Sequence, residues 1–331
     1  MAGEPIQPIA YNVKGVPLVY PVLQVSLHLE PLRAEDAEAF EVVADEIHGW
    51  IGDQLHWSSD STFQVLSGYR RDDLDYIPGY VRCLAITPAA GANPQEQFVL
   101  NAFHGATYGD YSVVLSGGDM SGDRGPVSPF TARFSTIMRQ PEEGGDPFTM
   151  AMLRVTVPLS WPVGDFMERV MRLASHLRVC WGVAGHGYAA WEVERPEARE
   201  AIYAHARRHV GFDVGIYAAW LEEWHAQMRT VGWLTFVGGA LREQLDAAGA
   251  RLESHGDVEV RQVGPNLMLR AGRYPQTGDI NRLDVPAAYR AVDSMLRPIR
   301  AADGHDFRHP WNEDTTTAWL ERFERRLART T

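Results

Sequence analysis

Twice along this chain the apolar spacing switches from every second residue to every third or fourth, each time across a proline. Residues 22–30, VLQVSLHLE, put Leu23, Val25, Leu27 and Leu29 on one side and Gln24, Ser26, His28 and Glu30 on the other. That alternation predicts a strand with one buried and one solvated face. After Pro31, the residues Phe40, Val43, Ile47 and Ile51 recur at helical spacing, and Glu35 and Asp36 fall in the first turn, where the helix dipole favours carboxylates. A helix over about 34–54 follows from that pattern. The stretch MLRVTVPLSWPVGDFMERVMRLASHL repeats the order, with Leu153, Val155 and Val157 alternating and Phe166, Val170 and Leu173 at helical spacing. The two units read as a duplication of one strand-helix module or as two ordinary amphipathic units.

Around these units the pattern is mixed. Short strands are predicted at 80–87 (YVRCLAIT), 97–104, 110–117 and 130–138, forming an antiparallel meander, and the Pro-Gly-acid stretch 139–148 reads as a loop. Beyond the second unit come a glycine-rich strand or loop (WGVAGHGYAAWE), a helix in PEAREAIYAHARRHV and a Trp-rich segment in IYAAWLEEWHAQM. A strand in GWLTFVGG, a helix in ALREQLDAAGA and a hairpin turning at Gly264-Pro265 follow, then a helix in VPAAYRAVDSMLRPIR and a basic helix at about 314–328. Without a regular βαβ rhythm, the expectation is an α+β fold with mixed or antiparallel sheets and packed helices. The division expected is an N-terminal extension (1–19), two α+β halves (20–145 and 146–312) that are separate or form one domain, and a C-terminal helix (313–331).

Charge and rare residues exclude more than they propose. With 43 acids against 31 bases the formal net charge is -12, which disfavours nucleic acid and anionic membrane as partners and favours a cationic protein. Lys14 is the only lysine, which leaves Schiff-base chemistry and a phosphate-loop lysine nearly excluded. Cys83 and Cys180 lie outside any metal or redox spacing, which fits a reducing compartment. The first residues lack the apolar core of a secretory signal, and no apolar run is long enough to cross a bilayer, so a cytoplasmic location is expected.

Candidate chemistry is thin. His205 and His209 stand four apart on one helix, a spacing that can serve a metal, but no Glu completes H-E-x-x-H and a solvated helical face is the simpler reading. In GHDFRHPW, His305 and His309 read as part of a loop packing on Trp311. GVAGHGY departs from the dinucleotide fingerprint, and LSGGDMSGDRG reads as a hairpin turn. No catalytic residue, metal or cofactor is expected, although a histidine-dependent enzyme and an oligomer built through the Trp-rich region 217–233 stay open as alternatives.

One feature stands apart. From Glu30 to Asp60 nine acids meet a single base, Arg33. On the helix there, Glu38, Glu41, Asp45 and Glu46 fall opposite the apolar side and form an outward anionic stripe. Without basic neighbours at i,i+4 the stripe forgoes the pairs that usually support exposed helices. These four carboxylates are therefore the candidate contact for a cationic partner.

The ordered segments LRVTVPLSW, VCWGVAGHGY, VGWLTFVGGALREQL, VEVRQVGPNLMLRAGRYPQTGDINR and PAAYRAVDSMLRPIR resemble the type VI secretion immunity family, over about residues 20–300 and most strongly over 150–300. The resemblance implies an antidote that binds a cognate toxin and occludes it without chemistry of its own. Some similar proteins guard against nucleases, whose basic DNA-binding groove would suit an anionic helix. Within AGRYPQTGDIN, glycines permit tight geometry, and Asp279 and Asn281 can bond nearby backbone. Gly278, Asp279 and Asn281 are thus expected to form a structural turn, with a ligand role for Asp279 as the second reading.

Overall fold

The two strand-helix units meet at the centre of the molecule. The computed structural model describes residues 7–12, 14–60, 65–83, 111–118, 127–139, 148–190, 196–214, 227–301 and 309–324. Its strands are β1 (Ala10–Tyr11), β2 (Pro17–Leu29), β3 (Trp57–Asp60), β4 (Val65–Gly68), β5 (Ser112–Ser116) and β6 (Thr131–Arg139), followed by β7 (Phe148–Pro158), β8 (Val179–Ala190), β9 (Leu234–Val237), β10 (Val258–Val263) and β11 (Asn266–Ala271). Its α-helices are α1 (Ala37–Ile51), α2 (Tyr76–Cys83), α3 (Val163–His176), α4 (Pro196–Arg208), α5 (Gly239–Ala247), α6 (Ala287–Met295) and α7 (Glu313–Leu320). The strands form one 11-stranded sheet in the order β10-β11-β9-β8-β2-β7-β6-β5-β3-β4, with β1 joined to β2. Every pairing between these strands is antiparallel, so the fold is α+β.

At the centre, Leu23 and Leu27 of β2 stand opposite Val157 and Leu153 of β7, while Val25 faces Ala184 of β8. Side chains opposite one another share a face, and this one is apolar. Helix α1 buries Phe40, Val43, Ile47 and Ile51, with Phe40 edge-on to Phe134 of β6 at 5.2 Å. Helix α3 lies beside it, Phe166 5.9 Å from Trp50. A 3-10 turn at Ala34–Asp36 starts α1, and the Asp36 carboxylate accepts from the Arg33 amide at 2.7 Å. Both units thus send their helices to the same side of adjacent strands.

The other face of β2 departs from expectation. Gln24, Ser26 and His28 are 1%, 2% and 4% exposed rather than solvated. Strand β2 is interior, and Asp213, which follows α4, reaches Gln24 on this side. The Gln24 amide donates to Asp213 at 2.6 Å and its oxygen accepts from Arg154 at 2.7 Å, and Arg154 also donates to the Tyr188 carbonyl. His28 stacks on Trp181 at 3.8 Å, and burial holds its pKa well below the ordinary value. Buried polar groups are tolerable only when bonded in this way.

The predicted strand at 80–87 is also corrected. Residues 80–83 belong to α2, whose Ile77, Tyr80 and Val81 recur at helical spacing and are buried. The residues 84–87 and the predicted strand at 97–104 lie outside the described residues, as do 140–147 and the Trp-rich 215–226. Strands β3 and β4 were not anticipated, because Trp57–Asp60 is polar at alternate positions that turn out to be buried, Ser58 and Asp60 among them. WGVAGHGYAA resolves as strand β8. The predicted helices in 163–177, 196–210, 240–250 and 285–300 are present as α3 to α6, the last ending at Met295 before a 3-10 turn at Arg297–Ile299; of the terminal helix expected at about 314–328, α7 ends at Leu320, 321–324 are turn, and 325–328 lie outside the described residues.

Asn266, at the start of β11, joins this half together. Its carboxamide donates to the Ala174 and Leu177 carbonyls at 2.6 and 2.9 Å and accepts from the Val179 amide at 3.0 Å. Arg322, just past α7, is also buried; it donates to the Val210 and Trp319 carbonyls and to the Thr230 hydroxyl, and lies 3.6 Å from the Trp319 ring centroid.

Candidate functional site

The acidic stripe on α1 is real as a surface, but its counter-ions come from elsewhere in the fold. Glu38, Glu41 and Asp45 are exposed and Glu46 is half-buried. Glu41 pairs with Arg82 of α2, Asp45 with Arg71 at 2.5 Å, and Glu46 with Arg169 and Arg172 of α3, each at 3.8 Å. The expectation that the stripe lacks basic neighbours is therefore overturned: helix packing supplies arginines that i,i+4 spacing could not. Among the described residues Glu38 has no ion pair, and the exposed Asp53 and Asp72 beside this helix have none either. The face keeps an excess of negative charge, and Val42, 40% exposed, sits within it.

Across the sheet, the segment after β11 forms a different surface. Gly278 has φ +61°, in the left-handed region that suits glycine, and a Cβ there would lie 2.8 Å from Val210. Asp279 accepts from the Asn281 amide at 3.0 Å, and its backbone exchanges two hydrogen bonds with Asp284. Arg208, at the end of α4, donates to both Asp279 oxygens at 2.8 to 3.3 Å. That guanidinium holds the Asp279 carboxyl below its ordinary pKa. The His209 ring nitrogen donates to the Gly278 carbonyl at 3.0 Å, the Gly211 amide to Thr277, and the Gln276 amide to the Tyr289 hydroxyl. Gly278, Asp279 and Asn281 hold the chain through these bonds. What sequence spacing could not show is that Asp279's partner, Arg208, lies 71 residues away.

The histidine pair points inward rather than to solvent. His205 Nδ1 is 2.8 Å from the Tyr188 hydroxyl, and the His205 and His209 rings are 4.5 Å apart. Burial, with the neighbouring His209 and Arg208, pulls His205 down to about 4. Burial likewise pulls His186, stacked on Phe212, down to about 4. Among the described residues no group of three or more His, Cys, Asp or Glu is placed to hold a metal ion. His305 lies outside the described residues, His309 is exposed and Trp311 is buried. No helix of the described residues is long and apolar enough to cross a membrane.

Comparison with known proteins places this arrangement. The structure resembles the Pseudomonas aeruginosa T6SS protein PA0821, with a TM-score of 0.64 at 20% identity, covering 94% of this chain and 86% of that one. At that identity the likeness speaks for the fold. No curated protein matches the sequence. The profile of the TsiV family, described as type VI immunity for VRR-NUC, matches residues 130–323, a span from β6 through α7 that includes the 272–284 turn and excludes α1. With more than half of its length matched, the chain belongs to the TsiV family of type VI immunity proteins.

Proposed function

We propose that the toxin neutralised by this immunity protein is a nuclease, and that inhibition is by occlusion, without catalysis by the immunity protein. The observation that carries the reading is the family match itself, whose description pairs these proteins with VRR-NUC. The charge supports it: a nuclease must present a cationic groove to DNA, and a protein of net charge -12 is attracted to such a surface. The α1 carboxylates Glu38, Glu41, Asp45 and Glu46 concentrate that attraction on one face. Because three of them already hold arginines, their contribution is mainly to the encounter rate and its salt dependence. A toxin acting on DNA is met where the DNA is, which puts the complex in the cytoplasm.

The test is co-purification with the toxin encoded beside this gene, carrying an inactivating substitution, followed by binding kinetics in a salt series. The expected result is a stable complex, burying at least about 1,000 Å², that excludes DNA and associates more slowly as salt rises. Replacing Glu38, Glu41 and Asp45 together by Lys is expected to slow association and flatten the salt dependence. A complex that binds DNA unhindered would overturn occlusion.

A further inference from the structure

The 272–284 turn carries more than its structural bonds require. Tyr274 is 54% exposed and Leu283 46%, two of the large apolar side chains that the described residues leave in solvent. Leu283 is also the one non-glycine residue among the described residues with positive φ, +57°. Leu283 is the left-handed cap that ends the 280–282 turn, a position where Gly or Asn would sit at less cost. Yet the chain holds it there, with its amide bonded to the Ile280 carbonyl and its side chain in water. Glycine would close the turn equally well, so the exposed leucine side chain is not needed to form it.

The surroundings define that contact. Arg273 lies over the Tyr274 ring at 5.1 Å, and the Arg282 side chain is 80% exposed. Arg208 and Arg282 both pair with Asp279, and among the described residues Arg273 has no ion pair. On a protein of net charge -12, the turn thus presents two exposed apolar side chains, each next in sequence to an exposed arginine. It is also rigid: α4, α6 and the chain at 209–211 all bond to it. Tyr and Arg on a preorganised loop are the residues that most often dominate binding energy, because little entropy is lost when they dock.

We infer that Tyr274 and Leu283, flanked by Arg273 and Arg282, anchor the toxin by entering an apolar recess rimmed with carboxylates. This rests on the immunity reading above and assigns it a contact surface. The turn lies across the sheet from α1: Phe40 of α1 packs on the Leu27 side of β2 through Phe134, whereas Asp213, next to the strap that holds the turn, bonds Gln24 on the other side. The turn and the acidic helix therefore lie on opposite faces, so contact at the turn is separate from any attraction by α1.

The experiment compares binding of the inactivated neighbouring-gene toxin to the full chain and to Tyr274→Ala, Leu283→Gly and Arg282→Glu. Each variant is expected to bind on the order of tenfold more weakly or worse, mostly through faster dissociation. Leu283→Gly gives the sharpest control, since glycine relieves the positive φ: its melting temperature is expected to stay level or rise while binding falls. Wild-type binding with unaltered variants overturns the anchor and leaves the immunity reading standing. Failure of the wild-type chain itself to bind overturns both. Variants that change only self-association of the free protein, seen by sedimentation, also overturn it.

Discussion

The outer face of α1 and the 272–284 turn are both charged and both exposed, yet they are built on opposite terms. On α1, flexible carboxylates meet arginines from α2, α3 and the turn before α2, and exposed pairs of this kind contribute little to stability. In the turn, backbone bonds and one buried-side ion pair fix a short segment whose apolar side chains stay outside. Charge alone therefore does not identify a contact surface. A charged face satisfied within the chain has less to gain from a partner than a rigid turn carrying unsatisfied apolar groups.

The comparison can be sharpened by breaking each side. The largest effect is expected at the frame of the turn-bearing half. Asn266→Ala leaves three buried backbone groups without a partner and should lower stability by about 3 kcal/mol or more, read from the urea midpoint. No substitution on the outer face of α1 should approach this.

Acid should separate the two sides next. His186 and His205, behind the turn, have folded pKa values of about 4 against an ordinary 6.5. The unfolded chain takes up those protons first, so stability is full above about pH 6.5 and falls as pH drops toward 4, by up to about 1.4 kcal/mol per pH unit for a fully buried group. His205, being less buried than His186, should contribute less. On the α1 side, burial pushes Asp36 up, but bonds from Arg178 and the Arg33 amide outweigh it and leave its pKa below the ordinary value. Its contribution is lost only below about pH 4. Melting curves between pH 7 and 4 should fall steadily, and His186→Phe should flatten that fall.

A smaller effect is expected from Asp279→Asn, which keeps an acceptor for the Asn281 amide but removes the charge that Arg208 holds. Amide exchange at Asn281 and Arg282 should quicken with little change in melting. The smallest effects belong to Glu41→Ala and Asp45→Ala, each expected within about 1 kcal/mol of wild type in thermal melts. A larger loss at either position would show that the α1 pairs are structural and would weaken the contrast.

Local patterns told most of the architecture. The apolar spacing located α1 to within a residue or two once its flanking 3-10 turns are counted, and the Gly264-Pro265 hairpin lies between β10 and β11 as read. What periodicity could not carry was anything decided by distant packing. Helix α2 looked like a strand because YVRC is rich in β-formers, and only its burial against α1 selects the helix. Gln24 and His28 looked solvated because alternation cannot reveal that a second layer covers the far face. The stripe looked uncompensated because Arg82 and Arg169 lie far off in sequence. The turn at Asp279 was legible as a turn, but its exposed Tyr274 and left-handed Leu283 show only in three dimensions.

Hydrogen exchange of the protein, free and bound to its inactivated toxin, measures the central claim most directly. The account predicts new protection in residues 272–284, with α1 exchanging much as it does in the free protein. Protection confined to 37–51, with the turn unchanged, would contradict it and return the contact to the acidic helix.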